Sequence, residues 1–478
     1  MIENDIREIE WGDDSAEHDN NILNYFIKPQ NFSRARNLKK TFIIGRKGAG
    51  KTAIKRKLIS EFKAENNHIV IELSPTNGIF RNMAGIKLLK EERSDEIIFQ
   101  YAWLNSILRK CLNTIGSIST NKLTVGSASA ARQFAIDEGV SNLDFIESTG
   151  KILKAIKLKA GEIGELGLQL ENQIKESSSI DSYEFHLVEL AKDQCKTTIL
   201  IDDLDIGWDN SNRSNDILLG LLTASMYLKA LHKNINVLFF MRDDMYSILM
   251  KKTTHSDKYR DTFPILWNKD SFHDLLSERI RDSLNIDKEV ATSECFSKVF
   301  PDSIGRTETL KWMTERTLDR PRELIQLARL YTENLEENEP DADTLKNVEA
   351  LYSQWKREDV CSEFLNQYPN LDNIFEYWSK EFYRTKYQID ESTFTNRMEK
   401  ILNEVHIKDD WFTKIKEEND TYKLGKVLFD IGFIGDYIRG GDGGNKVHYF
   451  GNTASPLLKE VQIHPCFRKS VGTVSRNR

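Results

Sequence analysis

The stretch Thr41-Phe-Ile-Ile-Gly45-Arg-Lys-Gly-Ala-Gly50-Lys51-Thr52 decides which fold this chain can adopt. It fits the Walker A pattern G-x-x-x-x-G-K-[ST] at every fixed position, a pattern typical of a phosphate-binding loop between a strand and a helix. The three glycines allow the backbone to curl until consecutive N–H groups point at phosphate oxygens, and the helix behind the loop offers its positive end. The sequence therefore predicts a site for nucleotide phosphates.

The residues on either side of the loop support this prediction. Residues 40–44, which end in Phe-Ile-Ile, predict the preceding strand, and residues 53–62 predict the following helix. A lysine-rich turn that matches the pattern by chance is the alternative, and the flanking strand and helix argue against it. In this interpretation Lys51 reaches the β- and γ-phosphates, and the hydroxyl of Thr52 binds Mg²⁺. The predicted phosphate-binding residues are Gly45, Arg46, Lys47, Gly48, Ala49, Gly50, Lys51, Thr52 and Ala53.

A second motif follows about 150 residues later, where the apolar run Lys196-Thr-Thr-Ile-Leu-Ile201 ends in Asp202, Asp203 and Asp205. This is how a buried parallel strand presents carboxylates at the carboxyl edge of a sheet, and it fits the Walker B pattern. Asp202 is predicted to hold Mg²⁺ through water, and Asp203 to orient or deprotonate the attacking water. A purely structural role would require one capping carboxylate, whereas here three acids occupy four positions.

Strands and helices alternate around these two motifs. Further strands are predicted at residues 68–73, 235–241 and 262–267, and helices at residues 94–115, 180–192, 212–233 and 270–284. This alternation predicts an α/β fold with a parallel sheet that carries helices on both faces. A helix is also predicted at residues 13–28, either near the nucleotide base or packed on the edge of the sheet.

Two arginines are further candidates for the site. Arg242 follows the strand that comes after Walker B, where it could contact a γ-phosphate, and an ion pair with Asp205, Asp243 or Asp244 is the alternative. Arg322 follows Pro321, which is predicted to begin a helix. A cation in a first helical turn is unfavourable for the helix dipole, so a nearby phosphate would explain Arg322, and an ordinary surface arginine is the alternative.

The pattern divides the chain into three predicted domains. Residues 1–285 form the core, with an insertion at about 116–179 that is either a docking segment or a poorly ordered excursion. Residues 286–340 form a helical lid, which ends in a polar linker that contains Pro340. Residues 341–478 add helices, then a strand, a glycine-rich hairpin and another strand, which together predict a winged-helix-like module.

Composition limits the functional classes. The chain has 478 residues, 29% of them charged and 39% hydrophobic, with a net charge of −7, and it contains five cysteines without metal-binding spacing. These values favour a cytoplasmic globular protein over a disulfide scaffold, a zinc protein or a strongly basic nucleic-acid binder. No uncharged apolar run approaches the roughly 20 residues that a membrane span needs.

Taken together, the Walker A and B motifs, Arg242 and the Arg320-Pro-Arg322 segment resemble the STAND and origin-recognition branch of the AAA+ type P-loop ATPases. The resemblance covers about residues 13–460, except for the insertion. It implies that Arg242 corresponds to sensor 1 and Arg322 to sensor 2, the groups that report the γ-phosphate to the lid. Unlike STAND proteins, this chain shows neither an effector domain nor a repeat-built sensor. Unlike KAP ATPases, it shows no membrane helices within the core.

The resemblance implies an ATP hydrolase that binds ATP and Mg²⁺ and acts as a nucleotide-dependent switch or assembly platform. A homo-oligomer or a separate effector protein is the expected partner. By analogy, the setting is a bacterial antiphage defence system. Two alternatives stay open: an ATP-regulated DNA-binding protein of the origin-recognition type, and a scaffold that holds nucleotide without turning it over. The sequence contains no N-K-x-D guanine signature, which favours adenine.

Overall fold

In the computed structural model, residues 5–475 are described except for 14–15, 75–91, 118–126, 138–179, 193–194, 439–445 and 450–454. Contacts divide the chain into two compact units. We call residues 30–46 and 51–265 the sheet unit, and residues 1–29, 47–50 and 266–478 the C-terminal unit. The predicted division at 285 and 340 stays a prediction.

The sheet unit is built on five parallel strands: β1 (Phe42–Ile44), β2 (His68–Leu73), β3 (Lys196–Ile201), β4 (Ile235–Met241) and β5 (Thr262–Pro264). Their order across the sheet is β2-β3-β4-β1-β5. The helices of this unit are α1 (Phe32–Arg36), α2 (Lys51–Lys63), α3 (Glu92–Ser117), α4 (Ser127–Asp137), α5 (Ile180–Lys192), α6 (Asn212–Leu231) and α7 (Asp243–Lys252). The predicted α/β fold, a parallel sheet flanked by helices, is confirmed.

Strand order places the two motifs on nearby strands. Only β4 separates β1, which precedes the glycine loop, from β3, which ends in the acids. Register pairs Ile44 with Met241 and Ile201 with Phe239, so the three strands end at one edge of the sheet. Their side chains are almost entirely buried, which explains why each strand is a continuous apolar run in the sequence.

Helices α3 and α6 cover the sheet as a tightly packed pair. The indole N–H of Trp103 in α3 donates to the carbonyl oxygen of Ile217 in α6 at 2.9 Å. At Gly220 of α6 a Cβ would lie 2.6 Å from the Cβ of Phe99, so only glycine permits this approach. The long apolar helix predicted at residues 94–115 is therefore a core helix.

The C-terminal unit contains helices and one antiparallel sheet. Its helices are α8 (Lys269–Ser283), α9 (Thr292–Val299), α10 (Thr309–Thr314), α11 (Pro321–Glu333), α12 (Ala342–Glu363), α13 (Asp372–Glu381), α14 (Glu391–Glu404), α15 (Asp410–Glu417), α16 (Thr421–Asp430) and α17 (Pro465–Arg468). Strands β6 (Ser303–Ile304) and β7 (Thr307–Glu308) pair as a short hairpin. A four-stranded sheet has the order β10-β9-β11-β8, built from β8 (Gln388–Asp390), β9 (Ile434–Ile438), β10 (Lys446–His448) and β11 (Glu460–Ile463).

The structure agrees with several predictions for this unit and corrects others. Pro321 is the first residue of α11, and β9 pairs with β10 as the hairpin prediction requires, although residues 439–445 lie outside the described part. The predicted helical lid, residues 286–340, contains the short β6–β7 hairpin besides helices α9, α10 and α11. Strands β8 and β11 were not predicted. The winged-helix assignment stays a prediction.

The predicted helix at residues 13–28 is wrong: the described residues of this stretch form turns. The carboxylate of Asp19 explains the difference, since it accepts a hydrogen bond from the backbone N–H of Asn21 at 3.1 Å and from the hydroxyl of Tyr25 at 2.5 Å. A side chain that bonds to the backbone in this way competes with the helix. Most of the predicted insertion, 118–126 and 138–179, lies outside the described residues.

None of the described helices combines the length and the apolar character that a bilayer span requires.

Candidate nucleotide site

The glycine loop connects β1 to α2 with the geometry that a phosphate cradle needs. The N–H of Gly45 continues the sheet by donating to Met241 O at 3.1 Å. Gly48 and Gly50 have φ of +78° and +96°, a backbone conformation that residues other than glycine rarely adopt. Helix α2 begins directly afterwards at Lys51 and has no acidic residue in its first turn. The positive end of the helix is therefore not neutralised by its own side chains.

Lys51 folds back across the loop that precedes it. Its Nζ atom donates to the carbonyl oxygens of Gly45 and Arg46, both at 3.0 Å. Thr52 and Ala53 follow in the first turn of α2 and are half-buried. The ammonium group is thus held beside the loop by two neutral acceptors, which it can exchange for the stronger, charge-assisted bonds of phosphate oxygens.

The Walker B acids begin where β3 ends. Asp202 is only 2% exposed, and its backbone N–H donates to Leu73 O at 3.1 Å. Its Oδ2 atom lies 2.8 Å from Nζ of Lys55, which follows Lys51 by one helical turn. Burial lowers the pKa of Lys55, but the carboxylates of Asp202 and Asp203 outweigh burial and raise this pKa above its usual value. Walker A helix and Walker B strand are therefore joined by a buried ion pair.

Asp203 adopts a left-handed backbone conformation with φ of +60°. Such a value is uncommon for a residue other than glycine, although aspartate tolerates it better than most. The chain turns at this point, and the N–H of Ile206 donates back to the carbonyl oxygen of Asp203. The turn gives Asp202 and Asp203 different surroundings although they are neighbours in sequence.

Arg242 stands at the carboxyl end of β4, the strand between β1 and β3, and is 6% exposed. Its Nε and Nη2 atoms donate to the carboxylate of Asp244 at 3.0 and 2.7 Å, and its Nη1 atom lies 3.8 Å from Asp205 Oδ2. Of the alternatives left open by the sequence, the ion pair with Asp244 is present. The sensor role stays a prediction.

Arg322 belongs to the C-terminal unit, as does the loop tip, residues 47–50. Its backbone N–H approaches Gly48 O at 3.4 Å, and a Cβ at Gly48 would lie 3.1 Å from the Cβ of Arg322. The guanidinium lies 3.6 Å from Asp359 of α12. Arg322 therefore lies directly beside Gly48, and its role as sensor 2 stays a prediction.

The residues present fit a magnesium nucleotide. The two positive-φ glycines give the loop its tight turn, and α2 offers its amino end. A hydroxyl at Thr52 and a buried carboxylate at Asp202 are oxygen ligands of the kind that Mg²⁺ takes, usually together with water and substrate phosphates. Among the described residues no group of three or more His, Cys, Asp or Glu side chains could hold a metal ion.

Sequence reasoning missed three residues at this site: Lys55, Arg320 and Trp267. The signal for Lys55 was available, because residues i and i+4 share a helix face and Lys55 follows Lys51 at that spacing. Arg320 donates to Lys47 O at 3.2 Å and Trp267 donates to Ala49 O at 3.0 Å. These two contacts join segments more than 200 residues apart, and no local sequence pattern predicts them.

Comparison with known proteins gives one family match. A family described as the FunZ-associated C-terminal helical domain matches residues 270–361, which run from the start of α8 to the end of α12. Over 493 aligned positions the chain is 23% identical to a protein described in Escherichia coli strain K12 as a transposon gamma-delta 80.3 kDa protein. The alignment covers 96% of this chain but only 66% of that protein.

Two solved structures show weak similarity. One is the ORC2 protein of Aeropyrum pernix in ADPNP and ADP complexes, with 11% identity, a TM-score of 0.32 and coverage of 89% of this chain and 88% of that one. The other is Cdc6p of Pyrobaculum aerophilum, with 12% identity, a TM-score of 0.34 and coverage of 95% and 98%. Similarity at this level does not establish a shared activity.

Proposed function

We propose that this chain is a P-loop ATPase whose nucleotide state acts as a switch for assembly or for a separate effector protein. One observation carries the proposal: Lys55, one turn beyond Lys51, lies 2.8 Å from the buried carboxylate of Asp202. The helix that begins at the phosphate loop is thereby held against the carboxylate that would serve Mg²⁺. Phosphoryl transfer needs these parts side by side.

Each residue of the site has a separate role in the proposed hydrolysis of ATP. N–H groups of the loop and the amino end of α2 bind the phosphates, and Lys51 exchanges its two carbonyl acceptors for β- and γ-phosphate oxygens. Thr52 and Asp202 would hold Mg²⁺, which when bound would neutralise charge on the phosphates. Asp203 orients a water molecule, whose oxygen attacks the γ-phosphorus while the bond to the β-phosphate oxygen breaks, giving ADP and inorganic phosphate.

Arg242 and Arg322 would report on the γ-phosphate. Each guanidinium contacts a carboxylate, Asp244 for Arg242 and Asp359 for Arg322. A γ-phosphate oxygen would compete for the same guanidinium, so its loss on hydrolysis would return the arginine to its carboxylate. This exchange is a local switch, of the kind that links nucleotide state to a change elsewhere in the chain.

The decisive experiment measures phosphate release by the purified chain with MgATP. We expect Lys51→Ala and Asp203→Asn to keep the fold, judged by circular dichroism, and to lose at least 100-fold in kcat. Lys57→Ala, on the outer part of the same helix α2, is the control and should retain activity. A wild-type chain that binds MgATP but releases no phosphate, even with nucleic acid or cell lysate added, would replace the switch by a nucleotide-holding scaffold.

The partner and the cellular setting rest on the family resemblance alone. We propose a cytoplasmic protein that forms a homo-oligomer or works beside an effector, within an antiphage defence system. Purification with the products of neighbouring genes, with and without ATP, followed by mass measurement, tests this setting. Duplex binding that falls steeply with salt would instead favour the DNA-binding alternative, since phosphate contacts release counterions.

A further inference from the structure

Three successive carbonyl groups at the tip of the phosphate loop are each held by a different donor. The pairs are Lys47 O with Nη1 of Arg320 at 3.2 Å, Gly48 O with the backbone N–H of Arg322 at 3.4 Å, and Ala49 O with the indole N–H of Trp267 at 3.0 Å. All six residues belong to the C-terminal unit. Consecutive carbonyls of a tight loop are thus held by side chains and backbone more than 200 residues away.

Holding a carbonyl also fixes the N–H of the next residue. In a planar trans peptide the C=O of one residue and the N–H of the following residue point in opposite directions. The three carbonyl contacts therefore set the directions of the N–H groups of Gly48, Ala49 and Gly50, which face away from the donors. These are the groups that a phosphate loop uses to bind its ligand.

Arg320 is a rigid donor because it is itself held on several sides. It is 2% exposed, its Nη1 atom donates to Glu363 Oε2 at 2.7 Å, and its Nε atom lies 3.3 Å from Glu323 Oε1. Glu323 in turn lies 2.8 Å from the buried Nζ of Lys356. A buried arginine between two carboxylates has little rotational freedom, so the carbonyl of Lys47 has a fixed partner.

Trp267 is fixed by packing. Its ring stacks on Phe272 with the centroids 5.8 Å apart and the planes inclined by 16°. It also passes beside the loop, where a Cβ at Gly50 would lie 3.6 Å from its Cζ2 atom. The indole N–H consequently has one orientation, toward Ala49 O.

We propose that Arg320 and Trp267 are positioning residues, which hold the loop carbonyls so that three N–H groups face the β-phosphate of a nucleoside di- or triphosphate. This inference rests on the proposed function, because it takes the ligand of the loop to be a nucleotide. Neither side chain contacts the ligand in this account. Both act by reducing the freedom of the loop before the ligand arrives, which lowers the ordering cost of binding.

Two substitutions test the proposal, each with a matched control in the same unit. Trp267→Phe deletes the indole N–H but keeps an aromatic ring on Phe272, and Trp411→Phe deletes an indole N–H that donates to Pro369 O at 3.0 Å. Arg320→Lys removes the guanidinium group that donates to Lys47 O. Its control, Arg281→Lys, removes a buried guanidinium group that donates to Val290 O at 2.8 Å. The controls remove the same type of contact away from the loop.

ADP and MgATP affinities are measured by calorimetry, and kcat and KM by phosphate release. We expect Trp267→Phe to lower the affinity for both nucleotides about fivefold. Arg320→Lys should lower it at least tenfold, since a hydrogen bond from a charged donor contributes more. KM should rise while kcat stays within about twofold, because the lost contacts act on ground state and transition state alike. Trp411→Phe and Arg281→Lys should lower the melting temperature without changing either affinity.

Affinities within twofold of wild type in a folded Trp267→Phe variant would overturn the proposal, and this variant decides alone if Arg320→Lys fails to fold. Equal losses of affinity in the controls would also overturn it, since they would show general loosening of the unit. Failure of the proposed function gives a different result: the wild-type chain itself would bind neither ADP nor MgATP more tightly than Lys51→Ala.

Discussion

Lys55 shows how a single residue can take its role from the topology of the sheet. Its position one turn after Lys51 is visible in the sequence, but its partner Asp202 is about 150 residues away. The pairing depends on β4 being the only strand between β1 and β3. Local patterns do not determine strand order, so the sequence predicted a role for Asp202 but not its pairing with Lys55.

Lys55→Met should destabilise the protein by about 3 kcal/mol, because it leaves the carboxylate of Asp202 buried without its cation. The raised pKa of Lys55 gives the pH dependence: the stabilisation is complete below the unfolded pKa of about 10.4 and is lost as the pH rises through the higher folded value. Urea denaturation monitored by circular dichroism measures both effects.

Lys57→Met is the control for this prediction. Lys57 lies in the same helix, 3.9 Å from Glu61, and its side chain is more exposed than that of Lys55. A surface pair one turn apart contributes only a few tenths of a kcal/mol. Equal losses in the two variants would show that the contact with Asp202 adds nothing beyond an ordinary surface pair.

His68 makes stability depend on pH nearer to neutrality. It is buried at the start of β2, where Nε2 is 2.8 Å from the hydroxyl of Thr198 and Nδ1 is 2.9 Å from Glu65. Burial lowers its pKa, Glu65 partly opposes this effect, and Lys196 and Arg36 lower the pKa further. The unfolded chain consequently takes up the proton first as the pH falls below about 6.5.

Stability conferred by neutral His68 should therefore be complete above about pH 6.5 and decline as the pH falls toward the lower folded pKa. His68→Gln should flatten the profile of unfolding free energy below about pH 6.5 relative to wild type. His255→Gln, at an exposed histidine, should leave the wild-type profile in place. An unchanged profile in His68→Gln would assign the acid dependence to other groups.

The strands with the most continuous apolar runs were predicted most accurately. The predicted bounds of β2 and β4 match the structure, because each strand is buried on both faces and its apolar run contains few polar residues. Strand β8 was missed, since Gln388–Asp390 contains a single apolar residue, Ile389, and its pairing partner β11 lies about 70 residues further along the chain. The turns at residues 16–25 were missed for a different reason: helical spacing of apolar residues does not show that the Asp19 carboxylate accepts from Asn21 N–H and the Tyr25 hydroxyl.

Helices α3 and α6 pack closely at Gly220, which makes this residue a test of their contact. Gly220→Ala would normally stabilise a helix by 0.5–1 kcal/mol, but here the new Cβ would lie 2.6 Å from the Cβ of Phe99 and 3.0 Å from the backbone N of Gln100. Backbone and Cβ atoms cannot move aside as a side-chain end can, so overpacking of about 1–3 kcal/mol should prevail. We expect net destabilisation in urea denaturation.

Ala230→Gly, an exposed position in the same helix, isolates the backbone contribution. It should destabilise by less than about 1 kcal/mol, since it changes helix propensity without changing a contact between helices. A Gly220→Ala variant as stable as wild type, or more stable, would show that the two helices can separate without cost and that this contact does not define their packing.

Over the whole molecule, the sequence predicted the α/β fold and both nucleotide motifs. The compact units change at 29–30, 46–47, 50–51 and 265–266, and the predicted domain boundaries at 285 and 340 stay predictions. Residues 47–50 belong with the C-terminal unit because their carbonyls are held by Trp267, Arg320 and Arg322. A division that cuts through the phosphate loop depends on contacts distant in sequence, which a pattern along the chain does not record.

This division leads to a prediction about ligand and stability. A ligand that binds only the folded chain adds RT ln(1 + [L]/Kd), which is about 2.7 kcal/mol at 100 times Kd. Because the predicted ligand-binding residues 45–53 include members of both compact units, MgATP should protect residues of both from hydrogen exchange. Within the sheet unit, α2 and β3 are the elements to follow. Within the C-terminal unit, they are residues 47–50 and α11.

Hydrogen exchange of the full chain with and without MgATP at 100 times Kd measures this protection, and Lys51→Ala at the same concentration is the control that should show none. ADP with Mg²⁺ should protect residues 47–50 as well, since the loop N–H groups face the β-phosphate. Greater protection of α11 by MgATP than by MgADP would support Arg322 as the group that detects the γ-phosphate, because its side chain begins in the first turn of that helix. Protection that does not include residues 47–50 would contradict their predicted role in binding phosphate.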